Sequence, residues 1–81
     1  MQCRVKLFAR ARDLAGTDEV SVVLPDAATV ADLRRVLGQE FPVLAGLLER
    51  SALAVNNEFA DATQPVPPNA EVALLPPVSG G

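Results

Sequence analysis

The chain has 81 residues, 49% of them hydrophobic, with 7 basic and 10 acidic residues and a formal charge of −3. That length holds one domain, which buries about 60–65% of its unfolded surface, and the apolar content excludes a disordered chain. The acidic balance argues against a nucleic-acid binder that tracks phosphates, although six of the seven cations lie between Arg4 and Arg35.

In chain order, QCRVKLFARA alternates. Cys3, Val5, Leu7 and Ala9 share one parity and Gln2, Arg4, Lys6 and Arg10 the other, the pattern of a half-buried strand. Phe8 falls on the charged face. RDLAGTD then reads as a turn, with Gly16 free to take positive φ. EVSVVL is a second strand, with Val20, Val22 and Leu24 in phase, and pairs with the first as an antiparallel hairpin with a long connection. Pro25-Asp26 ends it. TVADLRRVLGQEF reads as a helix: Thr29 is the N-cap, Asp32 completes a capping box, and Val30, Leu33, Leu37 and Phe41 share a face. Pro42 cannot continue that helix but can open a second, PVLAGLLER, with Leu44, Leu47 and Leu48 as its apolar stripe.

LAVNNEFA reads as a short strand or tight hairpin, with Asn56-Asn57 suited to left-handed turn positions. DATQPVPPNA, with three of the seven prolines, is a loop that Asn69 closes. EVALLP is the last strand. Val72 to Leu75 are all apolar, so both faces are expected to be covered, as in a central strand. The helix is a long enough crossover for the first and last strands to run parallel and adjacent. The expected fold is therefore α+β, a β-grasp: a mixed sheet with parallel first and last strands, packed on one main helix. The domain spans 1–75 and an extended tail spans 76–81.

The chemistry-bearing residues are few. With no histidine and one cysteine, the chain has no internal disulfide, no His-based triad and no common zinc site. No apolar run approaches the ~20 residues of a membrane span, and MQCRVKLFARAR lacks a signal peptide's apolar segment, which points to a soluble cytoplasmic domain. Cys3, on the apolar parity, is expected to be a buried small hydrophobe rather than a reactive thiol. Arg34-Arg35 reads as a solvated helix face and Asp18-Glu19 as a solubilising pair.

The tail PPVSGG carries the distinctive signal. Pro76 and Pro77 donate no backbone hydrogen bond, so they end the sheet and favour an extended run. Val78 offers an apolar grip and Ser79 is small. Gly80 and Gly81 have no Cβ, so such an end can thread a channel too narrow for other residues. The reactive group is then the Gly81 carboxylate. Joined to a nucleotide phosphate it becomes an acyl adenylate, open to sulfur or amine nucleophiles. Phe8 and Leu75 share the outer face beside the root of the tail and, with Val78, make an apolar patch of the kind that marks a partner surface.

EVALLPPVSGG, VKLFARARDLAG, LAVNN and PPNAEVALLPP resemble the small subunit of molybdopterin synthase, a family of ubiquitin-like sulfur carriers. The proline-rich approach to Gly-Gly separates this family from the thiamine-pathway carriers. The resemblance implies that a ubiquitin-activating-like adenylyltransferase uses ATP to adenylate Gly81 and that a sulfur donor converts it to a thiocarboxylate. The tail would then enter the large subunit, in an assembly of two large and two small subunits, and its sulfur would attack cyclic pyranopterin monophosphate to build the molybdopterin dithiolene. It also implies that this chain alone binds no cofactor and that the acid–base groups belong to the large subunit. The alternatives are a carrier for another pathway, a protein modifier joined through Gly81 to lysines, and a β-grasp module whose tail merely docks.

Overall fold

The computed structural model describes residues 1–75. The readings of Pro76, Pro77, Val78, Ser79, Gly80 and Gly81 lie outside those residues.

The first strand, β1 (Gln2–Leu7), alternates as its sequence dictates, with Cys3, Val5 and Leu7 buried and Gln2, Arg4 and Lys6 exposed. It stops at Leu7 instead of running through Phe8 to Ala11. In place of the strand's end and the turn read in RDLAGTD, Ala9–Ala15 form a helix, α1. The alternation of alanine and arginine over these residues fits a strand, but Ala11, Leu14 and Ala15 also fit a helical face. Ala11 is fully buried, and Leu14 and Ala15 pack against the core. Gly16 ends α1 at φ 74°, its N–H donating to the Arg12 carbonyl at 2.9 Å, the left-handed position that glycine fills without steric cost.

The second strand, β2 (Glu19–Val23), pairs antiparallel with β1, Val20 opposite Val5 and Val22 opposite Cys3. The main helix, α2 (Val30–Glu40), starts at the Thr29 capping box. The Thr29 N–H donates to Asp32 Oδ2 at 2.9 Å, and the Asp32 N–H donates to Thr29 Oγ1 at 3.3 Å. The backbone hydrogen bond from Thr29, then that of its side chain, holds the Asp32 carboxyl below its usual range. Val30, Leu33 and Leu37 are buried. Phe41, expected on the same face, is only partly buried, because the chain leaves the helix there (φ −128°, ψ 75°). Pro42 then opens a 3-10 turn (Pro42–Leu44) and one further helical turn, α3 (Ala45–Leu48), which bury Leu44, Leu47 and Leu48.

Arg34 is not part of a solvated face. Its guanidinium donates to the carbonyls of Leu48 and, at 3.0 Å, Ser51, tying the end of α3 to α2. Arg35 is exposed and makes a 3.4 Å ion pair with Asp32. Arg34→Ala strands two half-buried carbonyls and is expected to cost about 1–3 kcal/mol in equilibrium urea unfolding, against about 0–1 kcal/mol for Arg35→Ala. Equal losses for the two variants would mean that water serves those carbonyls as well as Arg34 does.

Two more strands, β3 (Ala52–Val55) and β4 (Glu58–Phe59), form a hairpin across Asn56 (φ 51°) and Asn57 (φ 68°). The last, β5 (Val72–Leu75), lies in the middle of the order β2-β1-β5-β3-β4, parallel to β1 and antiparallel to β3. The sheet and the parallel first and last strands match the expected β-grasp, and α1 joins the main helix and the short second helix read from the sequence. The expected covering of both faces of β5 does not hold. Val72 and Leu74 are buried in the core, while Ala73 and Leu75 are only partly buried. The buried residues of all three helices share one core cluster with the inner face of the sheet, so the other face has no helical cover.

Candidate functional site

The uncovered face holds the site. Side chains alternate along each strand, so the register assigns them. Ala52 pairs with Leu75 and Ala54 with Ala73; on the other side of β3, Ala54 pairs with Phe59. These residues share the outer face, opposite Leu53, Val55, Val72 and Leu74. The alanines keep the surface low, and an aromatic flanks it on each side. Phe59 is 76% exposed on the β4 edge; Phe8 is 44% exposed, one position beyond the Leu7–Leu74 pair and therefore alongside Leu75.

Local backbone geometry presents Phe8. It is extended (φ −130°, ψ 157°) and makes no side-chain cap for α1. Ala9, at φ 49°, turns the chain from strand to helix in a left-handed conformation that a residue with a Cβ seldom adopts. Phe8 is thus left exposed and outside the core cluster. Two other large apolar side chains are exposed, Val23 and Val43. Val23 pairs with Gln2, at the opposite end of β1 from the tail's root, and Val43 lies in the 3-10 turn.

Of the residues expected to form the site, the structure brings Phe8 and Leu75 to one end of one face. Leu75, the last described residue, lies in the central strand, between the two aromatics in strand order. Phe59 is a site residue that the sequence reading missed. The signal was available: a two-residue Asn-Asn turn sets Val55 against Glu58 and Ala54 against Phe59, so Phe59 must face the side opposite Leu53. Cys3 is buried, and burial pushes its thiol up, away from thiolate chemistry. Among the described residues no cluster of three or more His, Cys, Asp or Glu could hold a metal ion, and no helix is long and apolar enough to cross a membrane.

A mixed five-stranded sheet around a central β5, with its helices on one face, defines a ubiquitin-like β-grasp protein. Known proteins agree. A family model described as the ThiS family matches residues 5–81. The molybdopterin synthase sulfur carrier subunit of Dictyostelium discoideum is 39% identical over 83 residues, which cover 99% of this chain and 96% of the relative. That of Escherichia coli (strain K12) is 38% identical over 80 residues, covering 96% and 98%. Among solved structures, SAMP1 from Haloferax volcanii superposes with a TM-score of 0.86 at 30% identity, with both chains covered completely. The complex of subunits 1 and 2 of the molybdopterin-converting factor from Helicobacter pylori gives 0.72 at 27% identity, again with full coverage. The chain belongs to the ThiS family and, within it, to the molybdopterin synthase sulfur carrier subunits.

Bulk at Gly80 gives a direct test of the narrow-channel reading of the tail. On that reading Gly80→Ala should fold normally and react several-fold more slowly, because a Cβ would collide with a channel shaped around glycine. Single-turnover rates comparing the variant with the unaltered chain check this; equal rates exclude a glycine-specific channel.

Proposed function

We propose that this chain is the sulfur-donating subunit of a molybdopterin synthase and that its reactive group is the C-terminal carboxyl of Gly81. An ATP-dependent adenylyltransferase forms the Gly81 acyl adenylate. Sulfur from a donor displaces AMP to leave a thiocarboxylate. That sulfur then attacks cyclic pyranopterin monophosphate in the active site of the large subunit. The chain itself holds no nucleotide or metal, and the acid–base groups come from the large subunit, in an assembly of two large and two small subunits in the cytoplasm.

The observation that carries this reading is the position of Leu75. The last described residue lies in the central strand, at the edge of an apolar face flanked by Phe8 and Phe59. A carrier needs a rigid body that a partner can grip next to a thin arm that the same partner can admit. The Helicobacter pylori complex of subunits 1 and 2 supports a large-subunit partner. The likeness to SAMP1, the small archaeal modifier protein 1 of Haloferax volcanii, whose two crystal structures give TM-scores of 0.86 and 0.85, supports a second reading, conjugation through Gly81 to protein amines. Both readings begin with the same adenylate and part at the nucleophile.

Reconstitution tests the first reading. The chain, loaded by the adenylyltransferase with ATP and a sulfur donor, is mixed with the large subunit and cyclic pyranopterin monophosphate. Molybdopterin is expected to form in proportion to the loaded chain. A loaded chain that binds the large subunit and transfers no sulfur overturns the assignment.

A further inference from the structure

The chain contains a single lysine, Lys6; its other six cationic side chains are arginines. A guanidinium stays protonated in proteins and does not attack acyl groups, whereas an unprotonated lysine amine does. Lys6 is exposed on β1, where it lines an open groove with Arg4, Glu19 and Glu71, and no salt bridge engages it among the described residues. The one other amine, at Met1, is partly buried and donates to the Leu24 carbonyl. The Cys3 thiol is buried in the core. Structure and composition together leave one available nitrogen nucleophile on this molecule. It stands opposite Ala73, two residues before the last described residue, Leu75.

We propose that Lys6 is an acyl-acceptor site for the activated Gly81 of a second copy of this chain, so that the carrier links to itself when sulfur is scarce. The proposal rests on the adenylation of Gly81 put forward above. The Lys6 nitrogen attacks the Gly81 carbonyl carbon of the acyl adenylate. A C–N bond forms, the C–O bond to the phosphate breaks, AMP leaves with the electron pair, and the amine's proton goes to solvent. ATP, already consumed in forming the adenylate, is the only co-reactant. A second copy is favoured over the chain's own tail because Lys6 lies behind the tail's root. To reach it the tail would have to reverse through Pro76-Pro77, whose fixed φ favours an extended run. Sulfur donors compete for the same carbonyl, so the linkage is the outcome of an adenylate that waits.

The test incubates the full chain with the adenylyltransferase, ATP and magnesium, without a sulfur donor, and reads intact mass, peptide maps and ATP–pyrophosphate exchange. The expected result is a covalent species with the mass of two chains less one water, whose linked peptide joins Gly81 to Lys6. Lys6→Arg keeps the charge and should abolish that species while pyrophosphate exchange continues at the unaltered rate. Exchange without any linked species overturns the proposal and leaves adenylation standing. So does a linkage at Met1, a species that survives in Lys6→Arg, or a single chain less one water. Absence of exchange by the unaltered chain overturns the adenylation reading and this inference together.

Discussion

Deleting Gly81 is expected to abolish sulfur transfer while leaving the fold unchanged. In the proposed function the reactive atom is a backbone carboxyl, so no side chain can replace it. A chain ending at Gly80 presents its carboxylate one residue short, about 3.3–3.6 Å in an extended backbone. Displacements of about 1 Å from the reacting geometry can already cost roughly a hundredfold. Among the described residues the core runs to Leu74 and is complete without Gly81, so urea and thermal unfolding of the truncated chain should match those of the intact one. Molybdopterin formation at the normal rate by the purified truncated chain would rule out Gly81 as the sulfur-bearing residue.

The second large effect concerns Phe8. With 44% of its surface exposed, its ring adds little to the core, and Phe8→Ala should shift the melting temperature by no more than a few degrees. Aromatic anchors at the centre of an interface commonly contribute about 2 kcal/mol or more, roughly a thirty-fold change in affinity. Phe8→Ala is therefore expected to weaken binding to the large subunit by about that factor, as measured by calorimetric titration. Phe59→Ala, on the other flank of the alanine surface, should weaken it in the same direction. A Phe8→Ala chain that binds with unchanged affinity removes Phe8 from the interface. One that loses its cooperative transition would show that Phe8 supports the fold despite its exposure.

Elements whose signals are local were legible before the structure. The α2 start depends on Thr29 and Asp32, three residues apart, and the hairpin turn on two adjacent asparagines; both form as the residue types require. The central position of β5 followed from its run of apolar residues. α1 was not legible as a helix, because alternating alanine and arginine satisfy a period of two, and burial of Ala11, Leu14 and Ala15 against the core decides for the helix. Nor does an apolar run reveal what covers it. In β5 the helices cover Val72 and Leu74, whereas Ala73 and Leu75 face the open side.

The role of Arg34 was hidden for a different reason. Its acceptors lie 14 and 17 residues away, in a turn whose position depends on the packing of α3. At the site, the reading of the tail rests on residue type alone, on the glycines' lack of side chains and the prolines' missing donors, and falls on residues outside those the structure describes. Phe59 was overlooked because its exposure follows from strand register, a relation between residues across the sheet. The exposed aromatics and the alanine surface come together once β5 is placed beside β1 and β3.

Intact mass of the chain addresses the central claim most directly. Incubated with the adenylyltransferase, ATP and a sulfur donor, the chain should gain the mass difference of one oxygen replaced by sulfur, localised to Gly81 by fragmentation. It should lose that increment when the large subunit and cyclic pyranopterin monophosphate are added. A chain whose mass stays unchanged while ATP is consumed, or one that appears only as amide-linked conjugates under these sulfur-replete conditions, would contradict a sulfur-carrier function.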